Sequence, residues 1–550
     1  MKARLLGLPL LALTIASCAV PPPVKRGDRN NPGAGGSGGS GGGPDPMPAV
    51  VCGTSKIGKP SLRRLTAREY VRTLEQVFPE AAGQWTSVLI ADSISKFGFD
   101  NDSSALVVGK QMAQSIADTA ESVAAAVTGA SFATILPCSA TAPDRACATE
   151  FLNKYGRRLF RRSLTASEQT AYLGLFDQAL ATTDFPRAIA WMTRGLIQSP
   201  ATVYRREVGT PDPADPKKYK LTPQEVATEL AYTYAGTAPD DAVLAGAEAG
   251  QVNNPADRVA GANVLLMASG NVVLQRFFES WLGYSRVISV TKTAVPTFAG
   301  VREQMAEETR RFIQEVVVTR RGGSREFLLS PFTTPTAALA SFYGFPAPAS
   351  EYAVVNRPAG QGLGILAQGS VLASMASPDS SSPTKRGLLV MERFLCKERP
   401  IVPNGVPPLP SPDPGRVTTR QRHEESHAVG TCNGCHKSFD PIGFGFEHFD
   451  EVGRYRADEG GLTINATSFV PGEDAHLFEF TSAEELVQGL ANQPLVHECV
   501  SGYIATYAFG GAEDCLGETR RPEFIGGTLG FADYYTSLAA EPHFGERVMP

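Results

Sequence analysis

Thr66-Ala67-Arg68-Glu69-Tyr70-Val71-Arg72-Thr73-Leu74-Glu75-Gln76-Val77-Phe78 reads as the start of an amphipathic helix. The Thr66 hydroxyl can cap a free backbone N–H while Glu69 reaches back to the Thr66 amide, and Tyr70, Leu74, Val77 and Phe78 recur near a 3.6-residue period. The same start chemistry returns at Thr165-Ala166-Ser167-Glu168, Thr222-Pro223-Gln224-Glu225 and Thr481-Ser482-Ala483-Glu484. Pro223 stands at a first helical position, where its missing N–H does no harm. Strand signals are confined to short pieces such as Leu462-Thr463-Ile464-Asn465-Ala466. The starts are irregularly spaced, which argues against a solenoid. The fold predicted is mainly α, with several helical modules in tandem.

Composition sets broad limits. The chain has 550 residues, 42% hydrophobic and 19% charged, with a formal net charge of -5. That is ordinary for a globular protein and long enough for three or more domains. Nothing favours a nucleic-acid partner, which would call for a basic stripe. The one dense basic cluster, Arg157, Arg158, Arg161 and Arg162, reads as a solvated or carboxylate-paired helix face.

The N-terminus reads as an export signal. Lys2 and Arg4 precede an apolar stretch from Leu5 to Ile15, too short to span a bilayer, and Ile15-Ala16-Ser17-Cys18 closes it. This resembles a bacterial lipoprotein signal, which implies Cys18 as the lipidated first residue of the mature chain. Ala19 after it implies outer-membrane sorting, facing the periplasm or the surface. Ordinary secretion with nearby cleavage is the alternative. Acyl chains would anchor the chain without a transmembrane helix. A stretch of Pro, Gly and Ser follows, including Gly33-Ala34-Gly35-Gly36-Ser37-Gly38-Gly39. It offers no apolar surface to bury and reads as a flexible tether with a reach on the order of 30 Å.

Function is carried by Cys432-Asn433-Gly434-Cys435-His436, a Cys-x-x-Cys-His pentapeptide. In an exported chain this spacing predicts one covalent haem c: both thiols add to porphyrin vinyl groups, and the adjacent imidazole of His436 becomes the proximal iron ligand. The alternative is a zinc or structural dithiol site, with His423 and His427 completing a tight Cys2His2 set. For the distal position, Met549 is rejected on reach and order. The candidates are Met375, Met391, His427 and His448, with Met375 preferred and Met391 read as helix core. Asp440-Pro441-Ile442-Gly443-Phe444-Gly445-Phe446 is expected to support the site, a carbonyl near Pro441 holding the His436 N–H while Phe444 and Phe446 exclude water. Arg454 and Arg456 are candidate propionate partners.

Of nine cysteines, Cys18 goes to lipid and Cys432 with Cys435 to haem. Sequence proximity pairs Cys138 with Cys147 and Cys499 with Cys515, and Cys52 with Cys396 by elimination, although spacing alone does not fix connectivity.

Thr418 to Arg456 resembles the haem-bearing segment of the planctomycete cytochrome c domain proteins, large exported proteins of planctomycetes and myxobacteria. Leu62 to Phe78 is similar to that family's N-terminal helical module. Cys147 to Leu164 with Ile197-Gln198-Ser199-Pro200 resembles the next, and Phe278-Glu279-Ser280-Trp281-Leu282-Gly283 with Leu339 to Gly344 a third. Gly364 to Cys396 and the haem segment form a fourth, and Cys499 to Cys515 lies in a C-terminal one. Gly511 departs from the pattern, where the resemblance implies Arg; Met375 stands where related proteins carry His. The implied division is a signal peptide (1–17), a tether (18–58), helical modules at 59–130, 131–212 and 217–346, a haem c module with a cytochrome-c-like loop at 360–468, and a C-terminal helical module at 470–548.

No Gly-x-Ser-x-Gly elbow, His-Glu-x-x-His or phosphate loop is present. Three functions remain. The first is a lipid-anchored mono-haem electron carrier for periplasmic or surface redox partners. The second is a haem-dependent peroxidase-like or oxidative enzyme with an open distal side. The third is a scaffold or adhesion lipoprotein with structural haem.

Overall fold

Three of the four predicted helix starts close as capping boxes in the computed structural model, which describes residues 57–58, 61–95, 97–401, 409–427, 430–473, 475–511 and 517–549. Glu69, Glu168 and Glu225 each accept from the amide of their Thr (2.8, 2.8 and 2.9 Å) while Thr66, Thr165 and Thr222 accept in return. The fourth start shifts by one residue. Ser482 is the cap of the Ala483–Ala491 helix and accepts from the Glu485 amide. The Thr481 amide and hydroxyl both donate to the Glu485 carboxylate at 2.7 Å. A hydroxyl at 482 and a carboxylate at 485 satisfy the same donors as a pair at 481 and 484, so the motif admits both registers.

The fold is mainly α, with tandem helices and small sheets. Of the predicted strand, only Leu462–Thr463 pairs, antiparallel with Asp458–Glu459. Two further pairings tie distant parts of the chain: Ser61–Arg64 runs antiparallel to Tyr204–Glu207, and Glu546–Val548 to Asp215–Lys220.

Apolar side chains gather in a few cores. One is built from the first two helical blocks, with Leu74, Phe78, Phe151, Tyr155, Ile189 and Leu196 all buried. A second runs from the third block through the Cys-x-x-Cys-His block into the C-terminal helices, joining Phe277 and Trp281 to Val390, Phe439 and Phe446 and then to Ile504 and Phe531. Met391 is core there, as its helical spacing implies. The segment carrying the pentapeptide is therefore built into a shared core.

The basic cluster divides. Arg157 and Arg158 meet Asp241 and Arg162 meets Glu168, as surface pairs. Arg161 instead ends the helix in the left-handed region (φ 56) and is buried, donating to the carbonyls of Ala201, Thr202 and Tyr204.

Cys138 and Cys147 are bridged. Cys499 is bridged to Cys396, 103 residues away, and not to Cys515, which also removes Cys396 as the partner of Cys52. The Pro383–Arg393 and Pro494–Phe509 helices share one core, and this brings the two thiols together where sequence separation gave no hint. Cys52 and Cys515, like the signal segment, Cys18 and nearly all of the tether, lie outside the described residues.

Candidate functional site

Two short helices, Thr419–His427 and Gly430–His436, bring His427 and His436 together, and a third, Asp440–Phe444, carries the acid that joins them. His427 Nδ1 donates to Asp440 Oδ2 at 2.6 Å and His436 Nδ1 to the same oxygen at 3.0 Å. The two imidazoles lie 3.6 Å apart between ring centroids at 30°. Thr384 donates to the other oxygen at 2.7 Å. The carboxyl of Asp440 is buried, and although burial opposes its charge, these three donors hold it at about 2. A carboxylate can only accept, so His436 Nδ1 carries a proton, and in the neutral ring the lone pair is left on Nε2.

Backbone crowding fixes this arrangement. The Pro383–Arg393 helix crosses the Asp440–Phe444 helix with glycine on both sides. A Cβ on Gly387 would collide with the Phe439 carbonyl, and one on Gly443 with the Pro383 carbonyl. Arg386, fully buried, then clamps the crossing by donating to the carbonyls of Phe446, Phe449 and Asp450 at 2.9, 2.7 and 2.6 Å. Thr384, two residues earlier on that helix, is thereby set against Asp440.

Cys432 and Cys435 are half-buried and unbridged, while the other four described cysteines are in disulfides. Cys435 packs against the shared core. Among the described residues, two groups have three or more ligand atoms close enough for one metal ion: His427, His436 and Asp440, and Glu207, Glu229 and His543. Neither contains a cysteine, so the Cys2His2 zinc set is not assembled. His423 is buried, its Nδ1 faces the Thr419 carbonyl at 2.8 Å, and burial pulls its imidazole down to about 4.

The remaining sequence-predicted residues lie around this cluster. Met375 ends the Gly369–Ser374 helix and lines a small apolar cavity with Leu372, Leu389, Val390, Arg386 and Phe446. Leu389 and Val390 stand five to six positions along the helix from Thr384, about 8 Å of rise. His448 Nδ1 faces the Arg456 carbonyl at 2.9 Å and its ring stacks on Tyr455. Phe444 is buried with the Arg420 guanidinium 4.6 Å from its centroid. Arg454 pairs with Asp450 (2.8 Å), and Arg456 with Glu459 (3.2 Å) and Glu447 (3.5 Å). Both guanidinium groups therefore already face carboxylates. Sequence reasoning placed a carbonyl near Pro441 against His436; the partner is the neighbouring carboxylate. The spacing from His436 to Asp440, four residues, was the available signal.

Comparison with known families is consistent with this order of blocks. Residues 63–129 match PSD3 (DUF1587), 147–207 PSD5 (DUF1595), 221–345 PSD4 (DUF1592) and 363–459 PSCyt3 (DUF1588), each described as a protein of unknown function. The blocks are those of the planctomycete cytochrome c domain series. The PSCyt3 match contains both the pentapeptide and Asp440. No curated protein and no solved structure matches the chain.

Proposed function

We propose that the chain is a mono-haem c-type cytochrome, held to the outer membrane by a lipid on Cys18 and exchanging electrons with periplasmic or surface partners. The observation that carries this reading is the pair of unbridged thiols, Cys432 and Cys435, beside an imidazole whose Nδ1 is anchored on a buried carboxylate. That donor set fits haem c: two thiols for the thioether bonds and His436 Nε2 for the iron. Bound haem would supply a one-electron couple.

The protein's own groups do the rest. Asp440 fixes the tautomer and orientation of His436, and Thr384 and His427 keep that carboxylate in place. Met375 remains the proposed distal ligand. Its side chain lines the apolar cavity with Leu372, Leu389 and Val390. Arg454 and Arg456 would serve propionates in competition with Asp450, Glu447 and Glu459. The two disulfides suit an oxidising compartment. Among the described residues no helix is long and apolar enough to cross a membrane.

The same carboxylate favours a second reading. A proximal imidazole held by an anion is a strong donor that suits oxidised iron, as an oxidative haem enzyme with an open distal side would require.

The decisive experiment is expression of the full chain alongside cytochrome maturation machinery, followed by haem staining after denaturation and mass analysis of the Cys432–Cys435 peptide. Covalent porphyrin on that peptide is expected, and its absence from protein recovered from a native envelope overturns the proposal. Spectra with and without carbon monoxide then separate the readings. Low-spin bands insensitive to carbon monoxide mark the carrier, and a ligand-responsive haem the enzyme.

A further inference from the structure

Away from the pentapeptide, a narrow cleft opens where the Ala67–Val77, Pro223–Tyr234, Val272–Leu282 and Pro494–Phe509 helices meet the Tyr204–Glu207 strand. Its wall holds five arginines, Arg63, Arg68, Arg72, Arg205 and Arg276, against two carboxylates, Glu69 and Asp100. Both carboxylates are already engaged. Asp100 is held in direct contact by Arg276, and Glu69 accepts from the Thr66 amide in the capping box. Of the arginines, Arg63 is occupied with the Phe509 and Asn101 carbonyls at 3.1 and 3.3 Å.

Arg205 is the unusual member. It is 1% exposed, and its nearest carboxylates are Glu229 at 3.8 Å and Glu207 at 3.9 Å, beyond hydrogen-bond reach. Its Nε has no partner. Glu207 is committed to Arg547 at 2.8 Å. Burial and the neighbouring Glu207 push the Glu229 carboxyl up, whereas Arg547 and Arg205 hold Glu207 well below the usual carboxylate range. Arg68 and Arg72, nearer solvent, make no hydrogen bond or ion pair with a described residue. Arg72 is seated by Gly236, where an added Cβ would lie 2.9 Å from Nη1. Thr233 contributes a buried hydroxyl without a partner to the same wall.

A buried guanidinium with an unpartnered Nε–H is costly, and its planar fork matches an oxyanion. We propose that this cleft binds a small oxyanion group, a phosphate, sulfate or carboxylate, with Arg205 at its floor and Arg68 and Arg72 at its mouth. The assignment is independent of haem.

The test uses the full chain and isothermal titration with sodium phosphate, sodium sulfate and sodium malonate, each against sodium chloride at matched ionic strength. Saturable binding of at least one oxyanion is expected, weakened tenfold or more in Arg72→Met, a half-exposed change that leaves the core intact, and abolished in Arg205→Met. Preference among the three salts identifies the chemistry. If the oxyanions act no differently from chloride, or if Arg72→Met binds as the wild type does, the cleft holds only water and the proposal fails. Should Arg205→Met not fold, the Arg72→Met comparison decides alone.

Discussion

Replacing Asp440 by Asn keeps the shape of the side chain and removes its charge. In the wild type one oxygen accepts from both imidazoles, at 2.6 and 3.0 Å, and the other from Thr384 at 2.7 Å. Hydrogen bonds to a charged acceptor contribute about 1.5–3 kcal/mol each. An amide offers one acceptor oxygen and two donors. If its oxygen stays with Thr384, its NH2 faces two ring N–H groups and both imidazole bonds are lost unless the rings change tautomer; that change would protonate His436 Nε2 and block it as an iron ligand. If the amide turns, the rings keep a weaker, uncharged acceptor. A net loss of about 2–4 kcal/mol is expected in denaturant unfolding. In haem-loaded protein the lost anion matters more to the ferric than to the ferrous state. A difference of about 1.4 kcal/mol between those states corresponds to about 59 mV for one electron, so the midpoint potential should rise by that order. The assay is a spectroelectrochemical titration of wild type and Asp440→Asn at matched haem content. A midpoint unchanged within about 10 mV, with haem retained, would refute the view that this carboxylate holds the proximal ring.

Three further outcomes are expected. Met375→Ala should convert a low-spin spectrum to one that responds to carbon monoxide, and an unchanged spectrum removes Met375 as ligand. Changing Cys396 and Cys499 together to Ser should cost about 4–5 kcal/mol in unfolding by the chain-entropy account of a closure spanning 103 residues, and a non-reducing peptide map should recover these two cysteines linked. His543 is buried, and burial with the nearby Arg547 pulls its imidazole down to about 3, so it stays neutral in the fold while the unfolded chain takes up a proton below about 6.5. Its contribution is complete above that value and is lost on acidification at about 1.4 kcal/mol per pH unit. The stability difference between wild type and His543→Gln should therefore shrink by about 2 kcal/mol from pH 6.5 to 5, and a constant difference would contradict the assignment.

What could be read in advance follows from range. Capping at Thr66, Thr165 and Thr222 is a matter of three residues, and the sequence contains all of it. At Thr481 two adjacent hydroxyls and two adjacent carboxylates made the register ambiguous, and only tertiary packing chose Ser482. Cys138 and Cys147 are nine positions apart and were legible, whereas the bridge from Cys396 to Cys499 depends on two helices meeting in a shared core. In the site, the spacing of the pentapeptide is what carries the haem proposal. The Asp440 contact was available as a four-residue offset along one short segment but was obscured by the expectation of a carbonyl. The arginine cleft was hidden altogether, because its walls come from residues as far apart as Arg63, Arg276 and Tyr507.

The shared core bears on which reading of the haem block holds. Val390, Phe439 and Phe446, on the segments that frame the pentapeptide, are buried with Trp281 and Phe531 from the neighbouring blocks. Cutting this block out would expose that apolar surface, so a haem bound there would be held by the whole body. His436 nevertheless keeps 21% of its side chain exposed, and Asn433 and Gly434 between the thiols are exposed. An edge open to solvent would give a docked partner a short path to this site. A substrate cleft would instead need walls around that edge. The described residues framing it are short helices and charged groups such as Glu424 and Lys437, both exposed, which fit a polar docking rim. Charge reversal at Lys437 should therefore change the rate and the salt dependence of electron exchange while leaving the midpoint potential in place. A substrate-oxidising enzyme would show the change in its Michaelis constant for a small reductant instead.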